Sequence, residues 1–312
     1  LVATVDRERA QSDPEFLAAV ARVAGVGRVA VTDETLHGES RSAFAVVAGD
    51  DELVVKLVAD GQTAMANQRR LVRLVTDLRQ RGYPAPEYLG AGESAGRIFT
   101  VQRRLPGQTL DQVPGMPPAP ELLAALLPRL LAVIELQAGA GDLNRPSWPA
   151  WLLDTIEAGG DGYCLHETML QAPGTAALLR RLQMLARRNQ QAETRTCDIV
   201  HFDLNPANIL HVAGRLSGVV DWNIPFDDAG QGDRGFDVAT LLFYTYDNER
   251  TRAALWERAL EVSGLAWTTV YLCHLSLRQV EWSRRHSPGS PHEARFLAIA
   301  DAVLDDCEAR GG

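Results

Sequence analysis

Short β-branched runs crowd the first hundred residues of this chain, and beyond residue 107 long helical stretches take over. That change of hydrophobic period, from two to about 3.6, limits the fold more than any other feature. Ser12-Asp13-Pro14-Glu15 opens a capped helix over 12–24. The runs at 28–35, 43–48 and 52–58 read as strands of an antiparallel meander, the segment 63–81 as a helix with Leu71, Leu74, Val75 and Leu78 on one face, and 87–91 and 97–102 as two more strands. Pro106-Gly107 and Val113-Pro114-Gly115-Met116-Pro117-Pro118 mark a boundary. After it, 119–138, 174–191, 249–263, 266–285 and 291–309 read as helices around a strand-rich island at 198–222. The expectation is an α+β, bilobal protein: a small antiparallel-sheet lobe over 1–105 and a mainly helical lobe over 106–312, with a ligand cleft between them.

Composition narrows the function. The 312 residues carry a formal net charge of −9, which speaks against a nucleic-acid partner. No apolar run approaches the roughly 18 residues a membrane helix needs, so no membrane partner is expected. Cys164, Cys197, Cys273 and Cys307 have neither metal-ligand spacing nor a disulfide-framework pattern and read as reduced thiols of a cytoplasmic protein, monomer or homodimer.

Of 31 Lys and Arg residues, Lys56 alone is lysine, and it sits within the β-branched strand Leu53–Val58. A GC-rich coding sequence accounts for the arginine excess. A surviving compact ammonium on a strand suits a phosphate contact that a guanidinium fork does not replace. The island supplies complementary groups: Asp203 and Asn208 in one polar loop, then Asp221 at the end of the strand Leu216–Val220. Phosphoryl transfer needs a carboxylate near the attacking hydroxyl, oxygen ligands for a metal on the nucleotide, and a cation on its phosphates. Asp203 fits the first role, Asn208 and Asp221 the second, and Lys56 the third.

The string His201-Phe202-Asp203-Leu204-Asn205-Pro206-Ala207-Asn208-Ile209-Leu210 resembles the "HGDLHPGNIL" box of the aminoglycoside phosphotransferase and choline kinase-like family, a branch of the protein-kinase-like fold. Val219-Val220-Asp221-Trp222 is similar to that family's "IDW" segment and Gly232–Ala239 to its "GDPAYDLA" segment. Val101–Gly107 resembles its hinge followed by "LPG". The resemblance runs in order from about residue 35 to 245. It implies Asp203 as catalytic base or hydroxyl-orienting group, Mg²⁺ on Asn208 and Asp221, and ATP or GTP phosphates on Lys56. The purine edge would lie against the backbone around Gln102, Arg103 and Leu105. Asp237 is expected to brace the catalytic loop, and His201 to serve as a scaffold hydrogen-bonder.

Departures from the pattern are informative. The family's glycine before the aspartate is Phe202 here, its second histidine is Asn205, and the glutamate expected in the helix after the lysine strand is Asn67. No GxGxxG phosphate loop exists; Gly38–Ala43, with Ser40, Arg41 and Ser42, is the best candidate and equally suits an ordinary hairpin turn. Gly25-Val26-Gly27-Arg28-Val29-Ala30 matches a dinucleotide pattern but lacks the strand-before, helix-after context. Too few residues separate Asp221 from Asp237 for a peptide-docking activation loop, so a small-molecule acceptor is expected. The leading reading is transfer of the γ-phosphoryl to a hydroxyl of an antibiotic, aminoglycoside-like or other. Asp227 and Asp228 give the acceptor side an acidic rim, with residues near Trp148, Trp151 and His166 contributing. A metabolic kinase for choline, an amino-alcohol or a sugar, and a non-catalytic nucleotide-binding module, are the alternatives.

Overall fold

The computed structural model describes residues 7–32, 42–58, 65–111, 118–141, 147–222 and 231–311. In chain order the first half runs α1 (Arg7–Ser12), α2 (Pro14–Ala24), β1 (Ala30–Val31), β2 (Ala43–Ala48), β3 (Asp51–Leu57), α3 (Met65–Gln80), β4 (Tyr88–Ser94), β5 (Arg97–Arg103) and β6 (Gln108–Thr109). Then come α4 (Pro120–Glu135), α5 (Ser147–Ala158), α6 (His166–Met169), α7 (Pro173–Asn189), β7 (Asp198–Ile199), β8 (Ile209–Val212), β9 (Arg215–Val219) and β10 (Gln231–Gly232). The chain ends with α8 (Gly235–Tyr244), α9 (Glu249–His286) and α10 (Pro291–Ala309). Two compact units result, one of residues 1–109 with 207–230, the other of 110–206 with 231–312.

The first unit is built on a five-stranded antiparallel sheet in the order β1-β2-β3-β5-β4. Along β3, Leu53, Val55 and Leu57 are buried and pack with Phe16, Val20, Phe44, Phe99 and Val101. Strand alternation sends Lys56 to the opposite face. Helix α2 starts where the Asp13 carboxylate accepts the Glu15 and Phe16 N–H groups, at 3.0 and 3.2 Å, and stops at Gly25, whose φ of 69° closes the helix in the left-handed region. Strands β6, β8 and β9 form a second antiparallel sheet of this unit.

The second unit is helical, with one two-stranded ribbon of β7 and β10. Helix α8 packs on α9 and α10, and its residues from Gly235 to Phe243 are all buried. Such central burial suits a helix with no polar stripe, whose only polar side chains over that span are the buried Asp237 and Thr240. The long α9 is interrupted at Gly264, whose φ of 70° and ψ of 171° are not helical, so two helical stretches follow one another as the sequence pattern predicts.

Candidate active site

In the first unit, β8 and β9 pair Ile209 with Val219, and just beyond that pair the Val220 N–H donates to the Asn208 carbonyl at 2.9 Å. The hairpin therefore sets Asn208 and Asp221 at one end. Asp221 adopts φ 62°, a strained conformation for a side chain other than glycine. Strand β3 brings the Lys56 ammonium into an ion pair with the Asp221 carboxylate, and the Trp222 carbonyl lies 3.5 Å from the same nitrogen. The anchor behind Asp221 is Trp222, buried with its ring edge-on to Tyr83 at 5.4 Å, its indole N–H donating to the Val219 carbonyl. Burial, reinforced by the Asp221 charge, pushes the Tyr88 phenol well above its ordinary value.

Other predicted residues of this unit fall as follows. Ser42 is buried and its carbonyl accepts the Leu57 N–H at 2.8 Å, while Ser40 and Arg41 lie outside the described residues. Gln102 is buried on β5, between Val54 and Tyr88 on the neighbouring strands. The Arg103 side chain pairs with Asp51 at 2.6 Å and Glu87 at 3.2 Å, so its guanidinium ties the end of β5 to the strands on either side. The N–H groups of Arg103 and Arg104 donate to the carbonyls of Glu87 and Glu52. Leu105 closes on Gly218, where an added Cβ would lie 2.4 Å from the Leu105 side chain. Asn67 lies half-buried in the first turn of α3.

In the second unit, Asp237 is fully buried in α8 and organises the loop before Asp203. Its Oδ2 accepts the His201 N–H and the Gln137 side-chain amide, both at 2.7 Å, and its Oδ1 accepts the Phe202 N–H at 3.0 Å. Burial raises its carboxyl from 3.8 to about 7, against the pull of those hydrogen bonds. The buried His201 ring accepts the Asp203 N–H on Nδ1 at 3.4 Å, a scaffold contact. Phe202 has φ 71°, so the glycine common at this place in the family serves a backbone that phenylalanine must adopt under strain. Its ring lies parallel to Phe236 at 5.0 Å and within 5.5 Å of Trp151.

Asp203 is partly exposed and its Oδ1 accepts from Arg278 of α9 at 2.9 Å. Sequence reasoning missed Arg278, because one arginine in a long helix seventy-five positions away carries no local signal. It missed two further hubs. Asp233 accepts Gly235 N–H, Ser263, Tyr271 and Thr194 hydroxyl bonds. Arg234 bridges Asp198 at 2.8 Å and Glu135 through a bidentate fork. These hold the 231–237 segment, and their sequence signal was the resemblance at Gly232–Ala239. Trp148 is a core residue packed on Phe236 and Trp151; half-buried His166 is shifted below its ordinary pKa by burial. Asp227 and Asp228 lie outside the described residues.

An aspartate-led loop pinned from α8 in one unit, and a lysine–aspartate pair at a hairpin end in the other, are features of the protein-kinase-like fold. A family model described as the phosphotransferase enzyme family, APH, matches residues 34–272, and the chain belongs to that family. The chain is 28% identical over 176 residues to the hygromycin-B 4-O-kinase of Escherichia coli, covering 52% of this chain and 48% of the relative. It thus spans about half the length of that curated relative. A thermostable mutant of aminoglycoside phosphotransferase APH(4)-Ia, solved with ADP and hygromycin B, superposes with a TM-score of 0.65 at 20% identity, over 93% of this chain and 98% of that one. The Streptomyces rimosus aminoglycoside phosphotransferase APH(3'')-Id superposes with a TM-score of 0.50 at 17% identity, over 93% and 97% of the two chains. At these identities the superpositions speak for the fold.

Proposed function

We propose that the protein is a small-molecule O-phosphotransferase that moves the γ-phosphoryl of ATP or GTP to a hydroxyl of an antibiotic of the aminoglycoside type, in the cytoplasm. The observation that carries this reading is the pairing of Lys56 with Asp221. A chain with one lysine directs it to the aspartate that the phosphotransferase pattern reserves for the metal. Residues 1–105 then contribute the nucleotide-binding lobe and 106–312 the lobe with Asp203 and the acceptor site.

Asn208 and Asp221 offer one neutral and one anionic oxygen donor. No group of three His, Cys, Asp or Glu side chains able to hold a metal occurs among the described residues. A two-ligand oxygen site suits Mg²⁺, which keeps several waters and takes the rest of its shell from phosphates. When bound, the ion supplies neutralisation of phosphate charge. Lys56 holds the nucleotide phosphates, and its present contact with Asp221 keeps the two charges compensated beforehand. The hinge backbone from Gln102 to Leu105 receives the purine edge. Asp203 orients the acceptor hydroxyl and takes its proton late, since positioning dominates phosphoryl transfer. Ser40, Arg41 and Ser42 are assigned to the nucleotide phosphates through backbone N–H groups, and Asp227 and Asp228 to a cationic acceptor.

The test is a panel of antibiotics, hygromycin B among them, with choline and other amino-alcohols, each incubated with ATP or GTP and Mg²⁺ and read by mass spectrometry for one added phosphate. Phosphorylation of amino-alcohols alone moves the protein to metabolic kinases. No consumption of nucleotide with any acceptor moves it to a binding module.

A further inference from the structure

Arg278 belongs to no motif of the sequence, yet it makes two contacts with the segment that carries Asp203. Its Nη1 donates to the Phe202 carbonyl and its Nη2 to Asp203 Oδ1, each at 2.9 Å. The guanidinium carbon stands 5.0 Å from the centre of the Phe202 ring. One planar group thus holds the peptide between residues 202 and 203, the aspartate side chain and the aromatic ring at once. Phe202 needs such a hold. Its left-handed φ of 71° strains a non-glycine residue, and such a conformation persists only where the surroundings over-determine it. Phe236 stacked beneath the ring and Asp237 on the Phe202 N–H supply the rest. His274, one turn earlier on α9, is buried and its ring is 5.9 Å from Phe202; burial keeps it neutral, so it does not compete as a cation.

We propose that Arg278 is a positioning residue for catalysis, a rigid fork on α9 that fixes the direction of the Asp203 carboxylate and replaces the local freedom that glycine gives elsewhere. This rests on Asp203 being the group aligned on the acceptor hydroxyl. Lysine, a point charge with no planar fork, cannot satisfy the carbonyl and the carboxylate in one geometry.

The experiment follows steady-state MgATP consumption, without an added acceptor so that water takes the hydroxyl's place, and again with the acceptor the panel yields. Wild type, Arg278→Ala, Arg278→Lys and Asp203→Asn are compared, each with and without guanidinium at concentrations far below denaturing. Arg278→Ala is expected to lose about a hundredfold in kcat, the scale of a misplacement near 1 Å. Its nucleotide KM is expected to stay within about twofold of wild type, as for an interaction felt only in the transition state. Guanidinium recovers part of the loss in Arg278→Ala and none in Asp203→Asn, and Arg278→Lys falls between wild type and alanine. Wild-type turnover in Arg278→Ala beside a dead Asp203→Asn overturns the clamp and leaves the phosphotransferase reading intact. A loss that raises KM together with lowering kcat, lowers Tm and ignores guanidinium marks a merely structural arginine and also overturns it. Full turnover in Asp203→Asn, or none in wild type, removes the parent reading and the clamp with it.

Discussion

Asp203 is the residue on which activity is expected to turn. Its amide analogue keeps the Arg278 contact available but cannot take a proton, so Asp203→Asn should lower kcat by about a hundredfold or more, the range for general-base groups, with little change in Tm. Two buried titratable groups behind it act on stability with opposite signs. Asp237 has its carboxyl raised from 3.8 to about 7 by burial, so the folded state holds a proton that the unfolded chain has released, and its contribution weakens as pH rises through that window. His274 is shifted from 6.5 to about 3 by burial first and by the Arg278 charge second. Neither of its ring nitrogens has a hydrogen-bond partner among the described residues. The unfolded chain takes up the histidine proton first, so stability drops as pH falls from about 6.5 towards 3. Between pH 4 and 6.5 the two offset each other. His274→Phe should flatten the acid loss, and Asp237→Asn should steepen it, in urea midpoints measured at pH 7.5 and 5.

At the scale of elements, what the sequence showed follows from locality. The strand β2 and the break at Gly264 were legible because a short apolar run bounded by turn residues and a glycine between two helical periods are local signals. Helix α8 was harder: with every position from Gly235 to Phe243 buried it has no amphipathic stripe, and only the aspartate resemblance marked it. Helix α5 was not predicted, since its tryptophans read equally as core or as acceptor wall. The set proposed to carry the chemistry, Lys56, Asp203, Asn208 and Asp221, was picked out by the solitary lysine, by the His201–Asn208 spacing and by the family resemblance. The supports were not, because Arg278, Gln137 and Arg234 reach their partners across tertiary contacts of 75, 100 and 36 to 99 positions. The start of α8 carries its own constraint. A Cβ on Gly235 would lie 1.7 Å from the Ser263 hydroxyl oxygen, which itself donates to Asp233. Gly235→Ala, the residue type of the family segment, should therefore cost about 1–3 kcal/mol as overpacking, read as a lower Tm. Adding Ser263→Gly should return part of it.

For the whole molecule, the formal charge of −9 speaks against a nucleic-acid partner. Ligand linkage gives a test that needs no acceptor. MgATP at a hundred times its Kd should stabilise the fold by about 2.7 kcal/mol, seen as a rise in Tm. The rise should shrink in Lys56→Met and in Asp221→Asn, and EDTA should remove most of it in the wild type. The solitary ε-amine has a practical side as well. Reductive methylation with ¹³C-formaldehyde will tag that one side chain, apart from the α-amine of the chain's first residue. Its carbon resonance then becomes a built-in reporter, shifting when nucleotide takes the place now held by the Asp221 carboxylate.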